Sequence, residues 1–174
     1  LSKKNSPTII DIGTGSGCIG ITLALEIPSS NIIAIDISDS ALSIAKKNAD
    51  MYSIRNIEFL RLDILNQDII HIADMLISNP PYISKEEIPD LMEDVKDFEP
   101  MIALTDKSDG LDFYRKFSDI MPHVIKKNGT AILEVGRGSH SDRVKEIFCK
   151  SGYNNIDIVK DLNKDKRVFI ISNS

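Results

Sequence analysis

Cysteine is scarce in this chain. Only Cys18 and Cys149 occur, too few and too far apart for a disulfide framework or a thiolate metal site, so a reducing compartment is the simpler reading. Both lie in apolar helical sequence and are expected to pack in the core as small hydrophobes. Long apolar runs are missing as well. Nothing approaches the ~18 residues of a membrane span, and Leu1 to Pro7 hold no signal-peptide core. The expectation is a cytoplasmic location, with an organellar one left open and no membrane partner. Positive charge is in deficit, with 21 Lys and Arg against 26 Asp and Glu for a net charge of −5 and a pI of about 5.2. A non-specific nucleic-acid coat needs a surplus of Lys and Arg, so no direct nucleic-acid binding is expected, although a local basic patch is compatible with this balance. His71, His123 and His140 sit in separate segments without ligand spacing. They read as surface or structural residues, which leaves no metal site.

What is present is the material of one domain. The 174 residues, 42% hydrophobic and 27% charged, fall within the ~100–200 that a single core serves. The chain does not start with Met and enters a strand almost at once, so residues 1–174 are expected to be one domain of a longer protein, and a monomer. Thr8 to Ile12, Asn31 to Ile37, Ile57 to Asp63, Ala73 to Ser78 and Thr130 to Val135 read as strands. Helices are expected over Ser16 to Ile27, ended by Pro28, and from the Ser38-Asp39 cap to about Asp50. Two more run from Gly110 to Lys127, stopped by Asn128-Gly129, and from Ser141 to Ser151, ended by Gly152. Ile156 to Val159 and Arg167 to Ser172 follow as further strands with no helix between them, so one of the pair must lie antiparallel. The alternation predicts an α/β fold with a seven-stranded, mostly parallel sheet, the last strand antiparallel, and helices on both faces. In such a sheet, ligands bind beyond the carboxyl ends of the strands, near the point where strand order reverses.

Those ends carry the candidate chemistry. After the first strand comes Asp11-Ile12-Gly13-Thr14-Gly15-Ser16-Gly17, opening into a helix. Such glycines let backbone amides approach a ligand, and the helix start favours a negative group. Asp36, ending the second strand, suits a ribose diol. Asp63, with Ile64 beside it at the end of the third, could reach an adenine amino group or simply cap its turn. Gly15-x-Gly17-x-x-Gly20 with Asp36 downstream also satisfies the dinucleotide fingerprint. Asp11 favours S-adenosyl-L-methionine (SAM), since an acid before the glycines suits an ammonium group, which SAM has and a pyrophosphate region lacks.

The fourth strand runs into Asn79-Pro80-Pro81-Tyr82. Two prolines make a rigid turn that presents the Asn79 side chain and the carbonyls beside it. A planar NH2 group fits such a site: the Asn79 amide oxygen and the Pro80 carbonyl each accept one hydrogen, and Tyr82 packs on its face. No histidine lies near the motif in sequence. The acidic residues Glu86, Glu87, Asp90, Glu93, Asp94 and Asp97 read first as a solvated face, and second as a docking surface for a basic protein.

With the glycine loop and Ser78-Asn79-Pro80-Pro81-Tyr82-Ile83 stand Phe98-Glu99-Pro100 with Ala103-Leu104, Asp109-Gly110-Leu111-Asp112 with Tyr114-Arg115, Glu134-Val135-Gly136, and Asp161 with Arg167-Val168. Over nearly its whole length the chain resembles the HemK/PrmC-type class I methyltransferases. The resemblance implies a Rossmann-like methyltransferase fold and transfer of the SAM methyl to the side-chain amide nitrogen of a glutamine in peptide-chain release factors, leaving S-adenosyl-L-homocysteine. It further implies catalysis by Asn79, Pro80, Pro81 and Tyr82, with cofactor contacts from Asp11, Gly13, Thr14, Gly15, Ser16, Gly17, Asp36, Asp63, Ile64 and Asn79. The tetrapeptide alone is shared with DNA, RNA and other protein N-methyltransferases. Two departures stand out: the separate N-terminal helical domain usual in the family is absent from this chain, and Ser139 occupies the place where Glu-x-Gly-x-x-Gln ends in glutamine. Methylation of a nucleic-acid amino group and a SAM-binding module without activity remain the alternatives.

Overall fold

The computed structural model describes residues 6–94 and 100–173. Phe98, Glu99 and Asp97 lie outside the described residues. The strands are β1 (Thr8–Ile12), β2 (Asn31–Asp36), β3 (Ile57–Arg61), β4 (Ala73–Ser78), β5 (Ile125–Glu134), β6 (Ile156–Lys160) and β7 (Lys166–Ser172). The α-helices are α1 (Cys18–Glu26), α2 (Asp39–Met51), the single turn α3 (Met101–Leu104), α4 (Asp112–Val124) and α5 (Ser139–Lys150). The described strands form one sheet in the order β3-β2-β1-β4-β5-β7-β6. β7 runs antiparallel to both β5 and β6, and the other neighbours pair in parallel.

Alternation along β1 explains why both faces must be covered. Ile10 and Ile12 join a core with Tyr114, Phe117 and Met121 of α4 and Val144 and Phe148 of α5, whereas Ile9 joins Ile21 and Ala24 of α1 and Ala49 of α2. Successive strand side chains point to opposite faces, so a strand apolar at both positions is stable only between two helical layers. None of the described helices is long and apolar enough to cross a membrane.

Two expectations need correction. The helix expected to run to Lys127 ends at Val124, and β5 starts at once with Ile125 paired to Ala73. Pro122 sits in its last turn, where it supplies no N–H to continue the helix. Asn128-Gly129 is instead an irregularity inside β5. Asn128 adopts φ +63°, its N–H donates to the Asn173 carbonyl (2.7 Å), and Asn173 N–H returns to the Gly129 carbonyl (3.0 Å). The cysteines are both exposed rather than in the core. The inward face of α5 is set by Ser141, Val144 and Phe148, and the next residue, Cys149, is turned about 100° away.

Candidate active site

Strand order reverses between β1 and β4, whose carboxyl ends lie side by side. Ile12 is in register with Ser78, and the Ser78 hydroxyl donates to the Ile12 carbonyl (2.8 Å). The glycine loop and the Asn79–Tyr82 turn therefore leave the sheet as neighbours; a Cβ placed on Gly13 would sit 3.8 Å from the Asn79 carbonyl oxygen. Gly13 and Thr14 amides donate to the Ile35 carbonyl (2.8 and 3.0 Å), which folds the loop back over the end of β2.

Asp11 organises this loop from beneath. It is 1% exposed, and its Oδ2 accepts from the Thr14 hydroxyl (2.7 Å) and the Gly20 amide (3.0 Å). Its Oδ1 has no partner among the described residues. Burial pushes its pKa up to about 6, against the pull of the Thr14 and Gly20 hydrogen bonds. Asp36 is half-buried at the end of β2, with Oδ2 accepting from the Gly15 amide and Oδ1 from the Ser38 amide, both at 2.9 Å. Each oxygen keeps acceptor capacity for a ligand hydroxyl. Asp63 holds its own turn, with Oδ1 accepting from the Leu65 amide (3.1 Å) and Oδ2 from the Asn66 side chain (2.8 Å).

A cavity of about 760 Å³ opens beside these groups, within the size range of small-molecule sites. Of the residues singled out from the sequence, Gly13, Gly15, Ser16, Asp36, Asp63, Ile64, Asn79 and Pro81 line it. Asp11, Thr14, Gly17, Pro80 and Tyr82 are not among its lining residues. The sequence pattern did not single out the apolar lining by Ile37, Ile44, Leu62, Ile102 and Phe113, nor Lys107. Three of these come from the aperiodic stretch after β4 or the helix start that follows it, and no local pattern marks which of its side chains turn inward.

Tyr82 is held by charged groups. Its hydroxyl donates to Glu134 Oε1 (3.3 Å) and accepts from Arg167 Nη2 (3.1 Å), and Arg167 also bonds Glu134 Oε1 at 2.6 Å. The guanidinium lies over the Tyr82 ring, 5.6 Å from its centroid. Tyr114, fully buried, donates its hydroxyl to the Glu134 carbonyl (2.7 Å). The fold also brings His140 near the motif, 5.7 Å from the Tyr82 ring centre, where the sequence had placed no histidine. Its Nδ1 accepts from the Gly136 amide (3.1 Å) and Nε2 faces the Gly110 carbonyl (3.0 Å), so both nitrogens are engaged. Burial holds its pKa below the usual histidine value.

The Asp109-Gly110-Leu111-Asp112 segment braces the same turn. Ile83 N–H donates to Leu104 O and Lys85 N–H to Ser108 O, both at 2.9 Å. Gly110 has φ +79°, and a Cβ there would lie 2.3 Å from the Tyr82 carbonyl oxygen. Asp106, Asp109 and Asp112 gather carboxylate oxygens within 4.8 Å of one another. Asp106 spends its oxygens on the Ser108, Gly110 and Asp112 amides, and Arg115 pairs with Asp109 and Asp112 at 2.7 Å. Of the acidic cluster, Glu87 caps its own turn through the Ser84 amide and hydroxyl, while Glu86, Asp90, Glu93 and Asp94 are exposed.

Residues 1–95, which include the glycine loop and the tetrapeptide, match the methyltransferase small domain family model. The chain belongs to that family. Among relatives, it is 39% identical over 173 residues to the release factor glutamine methyltransferase of Fusobacterium nucleatum, covering 98% of this chain and 48% of that protein. It is 41% identical over 171 residues to the release factor glutamine methyltransferase of Bacillus subtilis, covering 96% of this chain and 59% of that one. The chain spans about half the length of the curated relatives it matches. A methyltransferase from Pyrococcus furiosus shares the fold, with a TM-score of 0.71 at 15% identity over 98% of this chain and 77% of that one.

The donor set of this methyltransferase small domain fits an adenosine-bearing sulfonium cofactor. Asp36 can accept from a diol, Ile37, Leu62 and Ile64 offer an apolar wall to a purine, and the unpartnered Asp11 Oδ1 is a buried acceptor under the loop. Among the described residues no phosphate-neutralising cation lines the loop side of the cavity; Lys107, the lining cation among them, stands with Asp106 and Phe113.

Proposed function

We propose that this domain transfers a methyl group from SAM to the side-chain amide nitrogen of a glutamine in a peptide-chain release factor, leaving S-adenosyl-L-homocysteine. The observation that carries this reading is the shared wall of the cavity. Asn79 and Pro81 line it together with Gly13, Gly15 and Asp36, so an NH2 group at the turn and a cofactor on the loop would meet. The cofactor, when bound, supplies an electrophilic methyl on sulfur. In this reading Asp36 accepts from the ribose hydroxyls, Asp63 and Ile64 border the adenine, and the loop over Asp11, Thr14 and Gly17 carries the amino-acid end.

An amide nitrogen is a poor nucleophile because its lone pair is delocalised into the carbonyl. Hydrogen bonds from its two protons to the Asn79 amide oxygen and the Pro80 carbonyl localise that pair and direct it along one line. Among the described residues the Asn79 side chain makes no hydrogen bond of its own, so its oxygen is available. Holding nitrogen and methyl ~3–3.5 Å apart supplies several kcal/mol of the barrier through orientation. No strong base is needed, because the alkylated nitrogen is far more acidic and releases its proton to a carbonyl or water. His140, with both ring nitrogens bonded to backbone, is not positioned as one.

Labelled SAM incubated with a release factor and, separately, with RNA tests the reading. Label on a release-factor glutamine is expected. Label on nucleic acid would replace the protein acceptor with a base amino group, which presents the same planar NH2 to the turn. Asn79→Ala should reduce methyl transfer at least about a hundredfold while SAM affinity changes by only a few-fold.

A further inference from the structure

Glu134 and Arg167 are conspicuous in the sequence yet have no part in the transfer chemistry described above. They lie on adjacent antiparallel strands, with Glu134 of β5 in register with Val168 of β7, and their side chains are only 31% and 21% exposed. An ion pair so placed is less screened than one on the open surface. Both partners converge on the Tyr82 hydroxyl. We propose that Arg167, oriented by Glu134, is a positioning residue that sets the Asn79–Tyr82 turn by gripping Tyr82. This inference rests on the reading of that turn as the place where the acceptor amide is held.

The rest of the turn's anchorage shows why one grip matters. Its entry is fixed by the β1–β4 ladder and the Ser78 hydroxyl. Its exit is fixed by Ile83 N–H on the Leu104 carbonyl and by the Gly110 backbone against the Tyr82 carbonyl. Between them, Asn79 leaves its amide uncommitted among the described residues, and Pro80 and Pro81 have no N–H to donate. Tyr82 makes the only side-chain hydrogen bonds of the tetrapeptide among the described residues. Arg167 is suited to this grip as lysine would not be: one guanidinium nitrogen bonds both the Tyr82 hydroxyl and Glu134 while the planar group lies over the ring. A released Tyr82 frees the turn to rotate about its exit, shifting the Asn79 oxygen and the Pro80 carbonyl relative to the incoming amide. An ångström of displacement there costs up to about a hundredfold in rate, whereas Asp36 and the glycine loop are untouched.

The test uses Arg167→Met, Glu134→Gln, Tyr82→Phe and the double variant Arg167→Met/Tyr82→Phe. Methyl transfer is measured on whichever acceptor the label identifies, and SAM affinity by calorimetry. Each single variant should lower kcat about ten- to a hundredfold with SAM Kd within about twofold of wild type. The double variant should be no slower than the worse single one, since both remove the same grip. Arg167→Lys should recover only part of the rate, because it restores the charge but not the planar group over the Tyr82 ring. Unchanged kcat in Arg167→Met, a loss confined to SAM affinity, or multiplying effects in the double variant would each overturn the inference. If Arg167→Met does not fold, Tyr82→Phe and Glu134→Gln decide alone, and normal kcat in both overturns it. An inactive Asn79→Ala beside a fully active Arg167→Met refutes the grip and spares the function. A fully active Asn79→Ala refutes the function itself.

Discussion

Replacing Asp11 by Asn isolates the electrostatics of the loop. Asp11 is 1% exposed, and burial raises its pKa from 3.8 to about 6. Below pH 3.8 the carboxyl is protonated in both the folded and the unfolded chain, and its contribution to stability is fully present. Between the two pKa values the unfolded chain has lost the proton while the folded one retains it, so stability falls as pH rises, with a slope of up to about 1.4 kcal/mol per pH unit. Above pH 6 the contribution is gone, a total loss of about 3 kcal/mol for a shift of this size. Asp11→Asn has no proton to exchange there. Unfolding free energies from urea titrations at pH 4, 5, 6 and 7, taken as wild type minus variant without ligand, cancel the other carboxylates. That difference should fall by about 2.4 kcal/mol between pH 4 and pH 7, most of it below pH 6, and level off. A difference independent of pH would refute the claim that burial raises the Asp11 pKa.

Two further perturbations address the neighbouring supports. Asp36→Ala removes the acceptor of the Gly15 and Ser38 amides and, on the proposed reading, the acceptor for the ribose diol, and should weaken SAM binding by about ten- to a hundredfold; calorimetry showing no change would remove Asp36 from the cofactor site. Gly110→Ala places a methyl against the Tyr82 carbonyl at a positive φ, so it should destabilise the domain by about 2 kcal/mol and slow methyl transfer more than it weakens SAM binding, as urea unfolding and steady-state kinetics would show.

Where signals are local, the sequence and the structure agree. β4 runs over Ala73–Ser78 as its apolar run indicates, and the cap at Ser38 forms as the Ser38-Asp39 pair implies, with its hydroxyl accepting from the Ala41 amide (3.2 Å). The antiparallel β7 follows from two strands with no helix between them. Where the deciding force comes from elsewhere in the chain, the two diverge. Asn128-Gly129 is a plausible helix stop, yet it becomes a kink in β5 because Asn173, far away in sequence, takes up its backbone groups. Cys149 lies in apolar sequence but faces outward because Phe148 occupies the inward position.

The same division runs through the site. Short-range order was enough to locate the glycine loop, Asp36 and Asn79, because a tight turn, a strand end and a rigid proline pair each need particular residues at adjacent positions. What the turn leans on could not be read that way. Glu134, Arg167, His140 and Gly110 reach Tyr82, and Tyr114 the Glu134 carbonyl, only because β5, β7 and the starts of α4 and α5 converge on the end of β4. Burial then makes those contacts matter, since hydrogen bonds and ion pairs withdrawn from water hold a geometry that exposed ones do not. The sequence by itself determined which groups are candidates for the proposed chemistry; the tertiary structure decided which groups hold them in place.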